Sequence, residues 1–411
     1  MKLKPLTNII IIGLLYIRCS GQNTEPPINK IIKVVVNDSS KELPIIVGAE
    51  RTNIYLTEIK DIKVGIVANH TSMIKSVHLV DTLKNLNINI VRVFSPEHGF
   101  RGNADAGEKI ASKIDKKTGL PIISLYGKNK KPTAEQIKDL DVIIFDIQDV
   151  GARFYTFIST MHYVMEACAE NNKKLIILDR PNPNGHYVDG PILEKEFESF
   201  VGLHPTPIVH GMTIGEYANM INGEGWLANG VKCELKVVKT KNYDHSRYYN
   251  LPIKPSPNLP NMNSIYLYPS LCLFEGTPIS VGRGTDKPFQ VLGHPQLKSD
   301  RYSFIPTSMT GASSPKLEGE KCKGYDLSLF GIDYMKGKGN IYLFWLIGIY
   351  NSYPEKKGFF TKMFTLLAGT NKLQQQIEAG KTENEIYQSW SEGLTKFKIN
   401  RKKYLLYKDF E

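Results

Sequence analysis

The segment FSPEHGFRG, at residues 94–102, places a carboxylate, an imidazole and a guanidinium group within five positions. It follows the apolar run NIVRVF at 89–94, which has the pattern of a buried strand. Pro96 and Gly99 remove Glu97 from regular secondary structure, and no capping role in the sequence explains its carboxylate. Such a group can serve as a general acid when its surroundings keep it protonated. Glu97 is therefore the first candidate for a catalytic residue.

Polar side chains also follow other strands of the predicted sheet. In an open parallel sheet, ligands bind beyond the carboxyl ends of the strands, because the loops converge there. The candidates at this edge are Asn69, His98, Arg101, Asp146, Gln148, Asp149, Arg153, Tyr155, Asp179 and Asn182. Some have structural alternatives. Asp146 and Asp149 could cap a helix and form an ion pair with Arg153, and the asparagines of DRPNPNG could be turn formers.

Hydrolysis of a glycosidic bond needs two carboxyl groups, about 5–5.5 Å apart for retention of configuration and about 6.5–9.5 Å apart for inversion. Glu97 would be the acid of such a pair. Its partner could be Asp146, Asp149, Glu275 or Asp286, and the sequence does not choose among them.

Several other function classes are disfavoured. The first predicted strand is followed by ANHTSM, without a glycine-rich phosphate loop, so no nucleotide cofactor is expected. The histidines are too dispersed for a metal site, and the cysteines contain no CxxC pair. The formal charge is +11, but the chain has no arginine-rich arm, so nucleic acid is not an expected partner.

The elements that position these residues follow from hydrophobic periodicity. Apolar runs at 63–67, 89–94, 121–126, 141–147 and 174–179 alternate with amphipathic segments, which indicates βαβ units and a parallel sheet. Residues 45–250 are therefore predicted to form a Rossmann-like, doubly wound α/β domain without the nucleotide fingerprint. Residues 251–411 are predicted to form a smaller α+β domain that closes the cleft, with a strand at 340–350 and one helix at 371–390.

The first 44 residues have the pattern of an export signal and a linker. Lys2 and Lys4 precede an apolar run, which ends near Cys19 and small residues. Residues 1–19 are predicted to be a signal peptide with Cys19 as a candidate lipidation site, and residues 20–44 a polar tether. The protein is expected in the periplasm or at the outer membrane, tethered through Cys19. The sequence does not indicate an oligomeric state.

Long sequence blocks resemble a known family. VGIVANHTS, FSPEHGFRG, FDIQDVGARFYT, LDRPNPNG, PTPIVHGMTIGEYA, PSPNLPNM and YPSLCLFEGTPISVGRGTDKPF together are similar to exo-β-N-acetylmuramidases of glycoside hydrolase family 171, formerly a domain of unknown function. The resemblance runs from about residue 45 to the C-terminus. It implies hydrolytic release of N-acetylmuramic acid from non-reducing ends of peptidoglycan fragments, without a cofactor, in a cleft between a Rossmann-like domain and a smaller domain.

The resemblance implies that Glu97 is catalytic. The other motif residues that match are Asn69, His98, Asp146, Gln148, Arg153, Tyr155, Asp179, Asn182, His210, Asn258, Glu275, Arg283 and Asp286. N-acetylmuramic acid carries a lactyl carboxylate, for which the available guanidinium clamps are Arg101, Arg153 and Arg283. Arg283 could instead form a structural ion pair with Asp286.

Two alternative functions stay open at this point. A non-catalytic surface protein that binds muropeptides would need the arginines and aromatic residues but not Glu97. NAD-assisted glycoside cleavage is disfavoured by the missing glycine fingerprint.

Overall fold

The computed structural model describes residues 43–97, 99–101, 113–299 and 301–411, with only the backbone of Lys113. In chain order, its strands are β1 (Val64–Ala68), β2 (Met73–Ile74), β3 (Val77–His78), β4 (Ile90–Ser95), β5 (Lys113–Ile114), β6 (Pro121–Ser124), β7 (Val142–Asp146), β8 (Lys174–Leu178), β9 (Glu234–Val238), β10 (Val291–His294), β11 (Tyr302–Phe304) and β12 (Cys322–Asp326). Its α-helices are α1 (Thr52–Ile59), α2 (Leu79–Asn85), α3 (Ala134–Ile137), α4 (Phe157–Glu170), α5 (Ile214–Gly223), α6 (Met262–Leu271), α7 (Lys336–Lys338), α8 (Phe344–Ser352), α9 (Lys362–Ala368), α10 (Lys372–Glu378) and α11 (Glu383–Arg401).

The main sheet has the order β5-β6-β4-β1-β7-β8-β9. Strands β6, β4, β1, β7, β8 and β9 are parallel, and the edge strand β5 runs antiparallel to β6. Numbered by their appearance along the chain, the six parallel strands have the order 3-2-1-4-5-6, which is the doubly wound Rossmann arrangement. The predicted fold class is therefore confirmed. The order reverses between β1 and β7, so a crevice is expected between the loops that follow these two adjacent strands.

The parallel strands are buried because helices cover both faces of the sheet. Side chains alternate between two apolar clusters: Val64 and Ile66 of β1 pack in the cluster with helices α1 and α2, and Val67 packs in the cluster with α4 and α5. All five residues of β1 and of β7 are buried. This two-sided burial explains the near-continuous apolar runs in the sequence.

The C-terminal half combines helices with a three-stranded antiparallel sheet of order β10-β12-β11. The predicted α+β character is confirmed, but two predicted elements were wrong. The apolar run at 340–350 contains the start of helix α8 and no strand, because an apolar run does not distinguish a buried helix from a strand. The single helix predicted at 371–390 is two helices, α10 and α11.

Residues Pro44–Glu411 form one compact unit, in which both halves pack together. The predicted boundary between the two domains, between residues 250 and 251, stays a prediction. Among the described residues, no helix is both long and apolar enough to span a bilayer. The predicted signal peptide and most of the predicted tether, up to residue 42, lie outside the described residues.

Candidate active site

A pocket of about 280 Å³ lies where the loops after β4 and β7 meet the C-terminal half of the chain. Its wall comes from six stretches of the chain plus helices α6 and α9. The lining residues are Glu97, Phe154, Tyr155, Thr156, Phe157, Val201, Ser256, Asn258, Leu259, Tyr268, Cys272, Glu275, Arg283, Phe289, Met363 and Leu367. Five of the residues predicted from the sequence therefore meet here: Glu97, Tyr155, Asn258, Glu275 and Arg283.

Glu97 reaches the pocket from the loop after β4. The amide of Gly99 donates to the carbonyl of Pro96 at 3.2 Å, so the chain turns directly after the strand. The half-buried Glu97 carboxylate accepts a hydrogen bond through Oε2 from the Thr156 hydroxyl at 3.1 Å. The Tyr126 phenol also hydrogen-bonds this carboxylate, and burial together with the Glu97 charge raises the pKa of Tyr126 to about 12.

Glu275 and Arg283 enter the pocket together from the C-terminal half. Glu275 lies in the 3-10 turn Cys272–Gly276 that follows α6. The Nε of Arg283 lies 3.1 and 3.2 Å from the two carboxylate oxygens of Glu275, and its guanidinium carbon is 4.9 Å from the ring centre of Phe289. The side chains of Glu275 and Arg283 are 27% and 28% exposed, so both remain accessible from the pocket. The ion-pair partner of Arg283 is therefore Glu275 and not Asp286.

The loop that carries Arg283 depends on its two neighbouring glycines. Gly282 and Gly284 adopt φ angles of 81° and 80°, a left-handed conformation that side chains disfavour. A Cβ atom at Gly282 would lie 2.7 Å from the carbonyl oxygen of Lys287, and one at Gly284 would lie 2.6 Å from that of Thr307. The two glycines of VGRGT, at residues 281–285, are thus required by the backbone shape around Arg283 and not by phosphate binding.

Tyr155 and Asn258 form fixed parts of the wall. The Tyr155 hydroxyl donates to the carbonyl of Pro255 at 2.8 Å, and its ring packs edge-on against Tyr268. The Asn258 side chain donates to the carbonyl of Gly311 at 2.8 Å. Tyr155 therefore connects the two halves of the chain, whereas Asn258 fixes a loop of the C-terminal half.

Comparison with known proteins agrees with this architecture. The family model described as the N-terminal part of the exo-beta-N-acetylmuramidase NamZ matches residues 64–263, and the model of its C-terminal part matches residues 266–407. The chain belongs to the NamZ exo-beta-N-acetylmuramidase family. It is 41% identical over 376 residues to the peptidoglycan beta-N-acetylmuramidase NamZ of Bacillus subtilis (strain 168), covering 86% of this chain and 89% of the relative.

Two solved structures are also similar. A DUF1343 family protein from Bacteroides fragilis NCTC 9343 is 50% identical, with a TM-score of 0.84 and coverage of 89% of this chain and all of that one. A second DUF1343 family protein of that strain is 29% identical, with a TM-score of 0.72 and coverage of 89% and 99%. The resemblance found in the sequence is confirmed, and the chain is a glycosidase of the NamZ family acting on peptidoglycan.

Two of the three candidate guanidinium clamps lie elsewhere in this NamZ-family chain. Arg153 is fully buried, and its terminal nitrogens donate to four backbone carbonyls, those of Pro191, Thr206, Leu367 and Ala368. Arg101 pairs with Asp81 at 3.0 Å and with Asp115 at 2.8 Å. Both guanidinium groups are occupied by the protein, which corrects the expectation that they hold substrate.

Asp146 and Asp149 also lie outside the pocket. Asp146 is fully buried and forms a two-point ion pair with Arg180, at 2.6 and 2.9 Å, which replaces the Arg153 pair considered above. Asp149 is buried and accepts from the amide of Gly151 at 2.6 Å. Burial raises the pKa of Asp149 to about 7 and is the main cause that lowers the pKa of the adjacent His210 to about 3. His210 Nε2 lies 3.7 Å from the Asp149 carboxylate, so both residues form a buried polar pair.

The remaining strand-end residues shape the backbone around the crevice. Asn69 accepts from Thr71, Gln148 donates to two carbonyls, and Asn182 bridges Met212 and Asn184. Asp179 accepts from Thr213, Gly215 and Tyr407 at 2.8, 2.9 and 2.6 Å, which places it at the N-terminus of α5. The bond from the Asn184 amide to Asn182 matches the turn-forming alternative for the asparagines of DRPNPNG. Asp286 is exposed beside the pocket loop, and His98 lies outside the described residues.

The sequence reading overlooked Thr156 and Tyr126. Tyr126 lies two residues after the end of β6, the third parallel strand, so the strand-end argument applied to β6 would have found it. Thr156 follows the ARFY segment of a block already quoted, but its pattern is that of an ordinary helix N-cap. Only the tertiary structure reveals that its hydroxyl binds Glu97.

Proposed function

We propose that this chain is an exo-acting hydrolase that releases N-acetylmuramic acid from the non-reducing ends of peptidoglycan fragments, with Glu97 as general acid, in turnover and recycling of the cell wall. The observation that carries the proposal is the meeting of Glu97 with the Glu275–Arg283 pair in one pocket. Glu97 comes from the N-terminal half of the chain and Glu275 from the C-terminal half, and hydrolysis of a glycosidic bond commonly uses a pair of carboxyl groups.

Arg283 supplies the specificity for muramic acid in this proposal. Its Nε is engaged by Glu275, and its terminal nitrogens are the remaining donors of a planar fork that suits a carboxylate. The lactyl carboxylate distinguishes N-acetylmuramic acid from N-acetylglucosamine. Arg101 and Arg153 are occupied by protein groups, which leaves Arg283 as the clamp among the three candidates.

Glu275 is the proposed second carboxyl group. Among the four partners considered for Glu97, Asp146 and Asp149 are buried away from the pocket and Asp286 is exposed beside it. Glu275 lines the pocket and is oriented by Arg283. The pocket volume of about 280 Å³ lies near the lower end of the range for small-molecule sites, which supports binding of one terminal sugar.

The experiment is hydrolysis of a nitrophenyl β-N-acetylmuraminide and of the disaccharide MurNAc-β-1,4-GlcNAc by purified wild type and Glu97→Gln. Wild type is expected to release N-acetylmuramic acid from both. Because a nitrophenolate leaves with little proton donation, Glu97→Gln should lose much more activity on the disaccharide than on the aryl glycoside. If wild type is inert on both substrates, the proposed function is wrong. If Glu97→Gln keeps full activity on the disaccharide, Glu97 is not the general acid.

The proposal extends to location. Lys2, Lys4, the apolar run that follows and Cys19 support export and a lipid tether at the periplasmic face of a membrane. Labelling of expressing cells with an alkyne fatty acid should mark the wild-type protein and not Cys19→Ser. Equal labelling of both would exclude Cys19 as the anchor.

A further inference from the structure

Thr156 occupies the N-cap of α4 but does not cap it. Threonine stands at the N-cap of five described helices, and Thr133, Thr213 and Thr382 form capping boxes in extended conformation. Thr361 makes no side-chain cap and donates to a backbone carbonyl. Thr156 has a helical conformation, with φ −68° and ψ −4°, and likewise makes no side-chain cap.

The hydroxyl of Thr156 is instead donated to the candidate acid. It lies 3.1 Å from Oε2 of Glu97, and both residues line the pocket. The two are 59 positions apart in sequence, so the bond connects the loop after β4 with the start of α4 across strand β1. A hydroxyl that binds a distant carboxylate and does not cap its own helix is typical of a functional site.

We propose that Thr156 is a positioning residue that fixes the orientation of the Glu97 carboxyl group for transfer of its proton to the substrate. This inference rests on the proposed function. The Thr156 hydroxyl donates to Oε2, and the Tyr126 phenol also hydrogen-bonds the Glu97 carboxylate, so the two side chains together orient the carboxyl group in the pocket. In the reaction, the O–H bond of the Glu97 carboxyl group breaks, the proton passes to the glycosidic oxygen, and the electron pair of the broken C–O bond remains on that oxygen. The hydroxyl group that the anomeric carbon gains comes from water.

Two substitutions separate positioning from structure. Thr156→Val keeps the shape of the side chain and removes the hydroxyl, whereas Thr156→Ser keeps the hydroxyl. For MurNAc-β-1,4-GlcNAc, Thr156→Val should lower kcat by about tenfold to hundredfold with little change in KM, since misplaced catalytic groups cost rates of this order. Thr156→Ser should stay within about threefold of wild type.

A second readout depends on the leaving group. On the nitrophenyl glycoside, Thr156→Val should lose less than about threefold, because that leaving group needs little proton donation. A loss of equal size on both substrates would overturn the proposal, and so would a Thr156→Ser variant no better than Thr156→Val. A wild type inert on both substrates would instead refute the proposed function, so the two failures are distinguishable.

The matched control is Thr382→Val at the N-cap of α11, whose hydroxyl and backbone form a capping box with Glu385. This substitution should lower the denaturation midpoint and leave kcat unchanged. Thr156→Val should lower kcat and leave the denaturation midpoint unchanged, because the Thr156 hydroxyl does not cap α4. A Thr156→Val enzyme destabilised as much as Thr382→Val, with kcat restored under stabilising conditions, would mean that Thr156 is only structural.

Discussion

Arg283 is the residue for which the structure gives the sharpest prediction of specificity. Arg283→Met removes the guanidinium fork that faces the pocket. Since a hydrogen bond to a charged group contributes about 1.5–3 kcal/mol, the variant should lose about tenfold to hundredfold in affinity for N-acetylmuramic acid and little for N-acetylglucosamine. Isothermal titration calorimetry with both sugars measures this difference.

Arg101→Met is the control, because its guanidinium group is held by Asp81 and Asp115. It should change stability and leave the ratio of the two affinities as in wild type. An unchanged ratio in Arg283→Met would assign recognition of the carboxylate to another group.

Asp149 makes stability depend on pH. Burial raises its pKa to about 7 in the folded protein, from an ordinary value near 3.8. Its contribution to stability is therefore fully present below about pH 4 and is lost as the pH rises through about 7. Asp149→Asn preserves an acceptor for the Gly151 amide and cannot ionise. The stability advantage of the variant over wild type should grow by on the order of 2–3 kcal/mol between pH 5 and pH 8.5.

Urea denaturation at both pH values tests this prediction. Asp179, whose pKa burial raises to about 6, titrates in both proteins and so cancels in the comparison. The exposed Asp286→Asn is the control and should give the same difference from wild type at each pH. If the difference between wild type and Asp149→Asn does not change with pH, Asp149 is not the titrating group.

At the scale of elements, the sequence predicts what depends on local periodicity. Apolar runs that alternate with amphipathic segments predicted the parallel strands and the doubly wound fold class. They could do so because strands buried on both faces consist almost entirely of apolar residues. Helix α8 was not predicted from the sequence, because its apolar residues suit a buried strand equally well. The break between α10 and α11 was detectable in principle: Gly380 has φ 72°, and Thr382 with Glu385 forms a capping box.

The candidate site was only partly predictable for a different reason. The loop after β4 could be located because strand ends converge at one edge, and Glu97 does lie in the pocket. Which arginine faces that pocket depends on the tertiary partners that hold each guanidinium group. Arg153 meets carbonyls more than 200 positions away, a partnership with no local signal.

At the scale of the whole molecule, the C-terminal tail binds the two halves of the chain together. Tyr407 donates to Asp179 at 2.6 Å and accepts from the amide of Thr240 at 2.8 Å. The buried Arg401 donates to the carbonyl of Gly211 at 2.6 Å and pairs with Asp409 at 2.9 Å. The tail thus satisfies buried polar groups at the carboxyl edge of the main sheet. The two halves should therefore unfold together, although separate family models describe them.

Tyr407→Phe tests this cooperativity because it removes one hydroxyl and leaves Asp179 and the Thr240 amide each without a partner that they have in wild type. Unsatisfied buried groups cost about 1–3 kcal/mol each, so the variant should be less stable by roughly 2–4 kcal/mol. In scanning calorimetry the single transition should shift to lower temperature as a whole. The control is Tyr248→Phe at an exposed position, which should leave the transition temperature unchanged. Two separate transitions in Tyr407→Phe, with one at the wild-type temperature, would mean that the halves are stable independently.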